Sequence, residues 1–282
     1  MSHNISDFRI VADSAANLNE YTKVSFCSAP MKIITAEKEY VDDITLDTAA
    51  MVEDLRNYTG RSSTSCPNPD EWLRAFGESK YVFAVTITSN LSGSYNAALT
   101  AKGIYESEHP ERKVFLVDTL SAGPEEGLIV EKLGDLIASG LSYEEVCQEI
   151  TAYLSRSGLL FMLESLKNMA NNGRVSHAVA KITGFLGIRI VGRASDHGTL
   201  EPTDKCRNQA KSLDTIVKRL QERGFVDGKI KIDHCLNEEG AKALKEKILA
   251  HFPDAKVAIQ QTRGICSFYA ERGGLMVGYA LD

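Results

Sequence analysis

Two polar runs stand out for the chemistry their residue types allow. The first follows the apolar run Tyr81-Val82-Phe83-Ala84-Val85 and reads Thr86-Ile87-Thr88-Ser89-Asn90-Leu91-Ser92-Gly93-Ser94, ahead of a helical stripe at Tyr95, Ala98 and Leu99. A strand that empties into hydroxyls and a glycine before a helix leaves unpaired backbone N–H groups beside Ser O–H donors. That combination suits an anion, with Ser92 and Gly93 at its centre. The run lacks the Lys of a phosphate-binding loop, so the anion need not be a phosphate. The second run, Ser62-Ser63-Thr64-Ser65-Cys66-Pro67, sets four hydroxyl residues in a row before a helix start at Asn68-Pro69-Asp70-Glu71. Thr64 and Ser65 are read as loop residues just ahead of that helix. Asp13 closes an apolar strand and is read as an organiser of neighbouring N–H groups. An acid–base pairing of Asp13 with Ser92 is the alternative. Cys66 has no His in a dyad context and is not read as a nucleophile.

These loops need elements to hold them. Apolar runs over 8–12, 24–34 (interrupted by Pro30), 81–85 and 113–117 read as strands, and amphipathic helices are predicted over 47–58, 69–76, 122–139 and 142–155. Asn68 with Glu71 and Ser142 with Glu145 form capping-box starts. Strands that alternate with helices and end in Asp-Ser or Asp-Thr predict a parallel sheet, its polar loops gathered at the carboxyl edge where open α/β sheets bind ligands. Arg156-Ser157-Gly158 is the boundary, giving an α/β domain over 1–157 and a mixed-sheet α+β domain over 158–282. The second part reads as a strand over 159–163, a short helix over 164–169 and a turn at Asn171-Asn172-Gly173-Arg174. A helix from Ser176 and a hairpin about Asp196-His197-Gly198 follow. Helices over 207–223 and 239–252 and strands over 229–235, 256–261 and 275–281 complete it. Arg174 is read as a structural residue of its turn.

The chain has 282 residues, room for two domains, and its 43% hydrophobic and 25% charged content is that of an ordinary globular protein. A formal charge of −6 with no Lys/Arg cluster argues against nucleic-acid backbones as partners. No apolar run reaches the length of a membrane span and no leader pattern opens the chain, so a cytoplasmic location is expected, with at most transient membrane contact. The six cysteines lie apart without zinc spacing and are read as reduced thiols; no metal or cofactor is expected.

At this point the chain resembles the DegV family of bacterial lipid-binding proteins. The resemblance is an ordered series over nearly the whole length. It comprises Ile10-Val11-Ala12-Asp13-Ser14, Thr64-Ser65-Cys66-Pro67, Ile87 through Tyr95, Val117-Asp118-Thr119, Leu163-Glu164-Ser165-Leu166 leading to Gly173-Arg174-Val175-Ser176, and Lys205-Cys206-Arg207. The resemblance implies a three-layer α/β/α domain with a parallel sheet plus a smaller α+β domain, with one long-chain fatty acid bound between them as ligand. Its carboxylate would meet the hydroxyls of the Thr64-Ser65 and Leu91-Ser92-Gly93 loops, and its tail would lie in the second domain. It further implies a carrier, not an enzyme, that presents the acid to the ATP-binding subunit of a fatty-acid kinase for phospholipid synthesis. Arg207 falls in a segment the family uses near the site opening and is a candidate for partner docking. Two departures stand out. Cys66 sits where many relatives have Gln, and Tyr269 sits about where many have a His that meets the carboxylate.

Burial of the tail is expected to set affinity and the hydroxyls to set orientation. A bulky residue at Leu163 or Ile190 is expected to evict the tail. A stand-alone hydrolase or kinase using Asp13 and Ser92 is the competing reading, although the chain has no Gly-x-Ser-x-Gly elbow and no Gly-x-x-x-x-Gly-Lys loop.

Overall fold

A computed structural model describes residues 4–176, 178 and 187–281. Among them the strands form three sheets. Ser25–Ala29, Phe8–Asp13, Tyr81–Thr86 and Lys113–Asp118 lie side by side in that order, all parallel. Their composition dictates this arrangement. Phe8, Ile10, Val11 and the run Val82 to Val85 are buried on both faces, as a parallel sheet covered by helices requires. On one face Trp72 and Phe76 of the helix Pro69–Phe76 pack with Ala98, Ala101 and Tyr105 of the helix Ser94–Glu108. On the other, the helices Pro124–Ala138 and Tyr143–Leu154 bring Leu128, Leu133 and Ile150. Both capping boxes form. The stripe after Gly93 is shifted from expectation: Ser94, Ala98, Ala101 and Tyr105 are buried, whereas Leu99 faces solvent.

The chain leaves Phe8–Asp13 for one edge of this sheet and returns across it to Tyr81–Thr86. Connections departing in opposite directions from two neighbouring parallel strands open a crevice at their carboxyl ends. Asp13 and the 87–94 run meet at that crevice.

Pro30 ends pairing on the first sheet, since it has no N–H to offer. Beyond it, Lys32–Ile34 joins a separate antiparallel sheet between Glu39–Val41 and Ser63–Ser65. The hydroxyl run is therefore a strand and not a loop, with Thr64 opposite Ile33. Pairing on one side only explains how so polar a segment becomes a strand.

The third sheet has six strands in the order Leu200–Cys206, Arg189–Ala194, Ser157–Leu163, Leu275–Leu281, Gly228–His234 and Lys256–Gln261, antiparallel except for the last pair. The helices Gln209–Glu222 and Glu238–His251 cover one face through Leu213, Ile216, Leu244 and Ile248. The helix Pro124–Ala138 crosses the other, so close at Gly278 that a Cβ there would lie 2.5 Å from the Glu125 backbone nitrogen. The helix expected from Ser176 lies outside the described residues.

One helix has no counterpart in the sequence reading: Gly264–Ala270. Its first N–H groups, at Gly264 and Ile265, each donate to the Asp42 carboxylate at 2.8 Å. Arg263 adds hydrogen bonds to the carbonyls of Leu18 and Asp42. Its cap thus comes from the far end of the chain.

Candidate functional site

The crevice opens into a cavity of about 270 Å³ walled by both halves of the chain. Most of its surface is apolar. Leu159, Phe161 and Leu163 enter from one strand, Met276 from the next, and Ile265 from the helix Gly264–Ala270. Met31, Ile87 and Ala122 complete the wall from the first half, so the apolar space is not confined to the second. Of the two positions expected to face a tail, Leu163 lines the cavity. Ile190 does not; it is fully buried in the packed core.

The polar part of the wall gathers Thr64, Ser65, Ser92, Gly93 and Tyr269, all the ligand-facing candidates named from the sequence. Thr64 Oγ1 and the Tyr269 hydroxyl share a hydrogen bond of 2.8 Å between the small sheet and the helix Gly264–Ala270. Burial pushes the Tyr269 phenol up from its ordinary value, so it remains a proton donor. Ser92 Oγ accepts from the Ser94 N–H at 3.2 Å, which leaves its own hydrogen available. Among the described residues the N–H groups of Ser92 and Gly93 meet no protein acceptor. A Cβ at Gly93 would lie 3.3 Å from Cys66 Sγ, so any side chain there presses on the thiol. Burial also pushes the Cys66 thiol up, away from nucleophilic character.

Arg174 is the residue the sequence reading missed. It is not merely part of its turn. Its Nε donates to the Leu91 carbonyl at 3.1 Å, its guanidinium lies 5.8 Å from the Tyr269 ring centre, and it lines the cavity. The mouth therefore carries a cation as well as neutral donors, and a carboxylate gains from both. The signal was the glycine before it. With φ of 74° at Gly173, the chain turns sharply after the helix Lys167–Asn171 and directs Arg174 back toward the 87–94 run.

Arg207 is exposed beside the start of the helix Gln209–Glu222 and does not line the cavity. The pairing of Asp13 with Ser92 is not formed. Asp13 is fully buried and accepts from Ser94 Oγ at 2.6 Å and from the Ile87 N–H at 3.0 Å, the organising role read first. Among the described residues no group of His, Cys, Asp and Glu gathers to hold a metal ion, and no helix is long and apolar enough to cross a membrane.

Comparison with known proteins agrees with this geometry. The family model for DegV proteins matches residues 7–281. The chain belongs to the DegV family. A DegV domain-containing protein of Streptococcus pneumoniae is 43% identical over 279 residues, covering 98% of this chain and 99% of its own. The crystal structure of a DegV family protein from Eubacterium eligens, loaded with heptadecanoic acid, has a TM-score of 0.95 at 40% identity, covering 98% of this chain and 100% of its own. That of the Streptococcus pneumoniae Fatty Acid Kinase (Fak) B3 protein, loaded with linoleic acid, has the same TM-score of 0.95 at 43% identity, covering 98% and 99%. Each of those two structures holds a fatty acid, and their TM-scores of 0.95 show that they share the fold of this chain.

Proposed function

We propose that this DegV chain binds one long-chain fatty acid and presents its carboxylate to a separate ATP-dependent fatty-acid kinase for phospholipid synthesis. It does so in the cytoplasm, as a carrier and not as an enzyme. In this reading 1–157 supplies the carboxylate loops and 158–282 encloses much of the tail. The carboxylate lies against Thr64, Ser65, Ser92, Gly93 and Tyr269, with Arg174 beside it. The observation that carries the reading is the convergence of those polar residues on one end of an otherwise apolar cavity. The fatty acids held by the relatives from E. eligens and S. pneumoniae support it.

The energetics divide the labour. A tail of about 15 methylenes gains on the order of 12 kcal/mol at roughly 0.8 kcal/mol per buried CH₂, before entropic costs. Hydrogen bonds to a charged carboxylate add roughly 1.5–3 kcal/mol each. Tail burial thus sets retention, and the mouth sets which end faces out. Arg207, exposed just ahead of the helix Gln209–Glu222, is the proposed contact for the kinase. The test is mass spectrometry of lipid extracted from the natively purified protein, followed by kinase, ATP and the loaded protein together. One co-purifying fatty acid and its conversion to acyl phosphate are expected. Protein that takes up no fatty acid would sink the reading.

A further inference from the structure

Beneath the mouth of the cavity lies a pair of carboxyl groups that do not line it. Asp13 and Glu126 are both 0% exposed. Asp13 ends the strand Phe8–Asp13, and Glu126 lies in the first turn of the helix Pro124–Ala138. One Asp13 oxygen accepts from Ser94 Oγ at 2.6 Å and from the Ile87 N–H at 3.0 Å, and the other accepts from the Ala15 N–H at 3.2 Å. Ile87 and Ser94 are the two ends of the segment that carries Leu91, Ser92 and Gly93 into the cavity wall. Glu126 differs. Among the described residues neither of its oxygens meets an N–H or a hydroxyl donor, and its near neighbour is the Asp13 carboxyl.

Two carboxyl groups in contact in an apolar setting do not both ionise. Asp13 has three donors and Glu126 has none, so Glu126 keeps the proton and donates it to Asp13. The other titratable groups facing the pair are Asp118, Glu125 and the thiols of Cys66 and Cys266. No Lys or Arg among the described residues bonds to either carboxyl.

We propose that Asp13 is the positioning residue of the anion loop: its ionised carboxylate pins residues 87 and 94, and its protonation loosens the loop and releases the bound acid. The inference rests on the fatty-acid reading above. Burial raises Asp13 to about 6, so the change falls between pH 5 and 7.5. Hydrogen bonds to an ionised acceptor are roughly twice as strong as those to a neutral one. Global stability moves the opposite way. With its folded value above the unfolded one, Asp13 stabilises the fold below the unfolded pKa, and that stability is lost as pH rises through about 6.

The experiment measures release of a fluorescent 18-carbon polyene fatty acid from the full chain at pH 5 and pH 7.5. Wild type should release it about tenfold faster at pH 5, with no fall in thermal midpoint over that range. Asp13→Asn should release at pH 7.5 at the rate wild type shows at pH 5, and should change less than about twofold with pH. Ser94→Ala, which breaks the same link from the helix side and leaves Asp13 in place, should also raise release at pH 7.5 and flatten the profile. Equal pH profiles for wild type and Ser94→Ala would overturn the inference while leaving fatty-acid binding intact. A wild type that holds no probe at any pH would overturn both.

Discussion

Tyr269→Phe isolates one hydroxyl at the mouth. The ring keeps its place, edge-on to Phe268 with centres 4.9 Å apart and beneath the Arg174 guanidinium. What disappears is the 2.8 Å bond to Thr64 and any donation from the phenol to a bound carboxylate. Losing a neutral bond alone costs about 0.5–1.5 kcal/mol, or roughly 2- to 12-fold in affinity. If the phenol also donates to the carboxylate, the loss rises to about 1.5–3 kcal/mol, or roughly 12- to 150-fold. The assay is competitive displacement of a fluorescent fatty acid by two ligands of equal chain length, a carboxylic acid and the corresponding primary alcohol. The acid should lose the larger factor and the alcohol the smaller one. Equal losses for acid and alcohol would refute Tyr269 as a carboxylate donor and leave it as a brace for Thr64.

Four further outcomes follow from the structure. Ser92→Ala should weaken retention of the acid by no more than about tenfold, yet slow phosphorylation by the kinase more severely; equal loss in binding and turnover assays would count against the division of labour. Leu163→Trp should empty the cavity while the circular-dichroism spectrum and thermal midpoint stay near wild type. Ile190→Ala should instead cost about 2–5 kcal/mol of stability in urea titration and leave lipid bound. Asp233 is fully buried and held up to about 7 by desolvation, so the folded state binds a proton that the unfolded chain gives up near its ordinary 3.8. The stability from this group is complete below the unfolded value and is lost as pH rises through about 7. Asp233→Asn should therefore reduce the fall in thermal midpoint between pH 5 and pH 8.

The parallel sheet was legible because its signal is local. A run such as Tyr81 to Val85 has no alternative but to be buried, and Asn68 with Glu71 fixes a helix start within four residues. The placing of Thr64, Ser65, Ser92 and Gly93 on the cavity wall was legible because hydroxyl-rich segments declare themselves locally, whereas Tyr269 was named only through the family resemblance. The missed features depend on distant partners. Gly264–Ala270 lacks a local cap, and its helical start becomes stable only when Asp42 reaches it across the fold. Ser63–Ser65 is a strand only because Lys32–Ile34 offers it an edge. Arg174 read as a turn residue because the carbonyl that aims it, on Leu91, belongs to another segment.

The strand Leu275–Leu281 sits between Ser157–Leu163 and Gly228–His234, in the interior of the six-stranded sheet, and Met276 on it walls the cavity. A polypeptide emerging from the ribosome completes its parallel sheet long before this strand is synthesised. Until then the greasy faces of Phe161 and Ile87 have no lid and must be shielded by chaperone or by transient collapse. On the fatty-acid reading, loading waits for this strand, and nascent chains halted before residue 264 should carry no lipid.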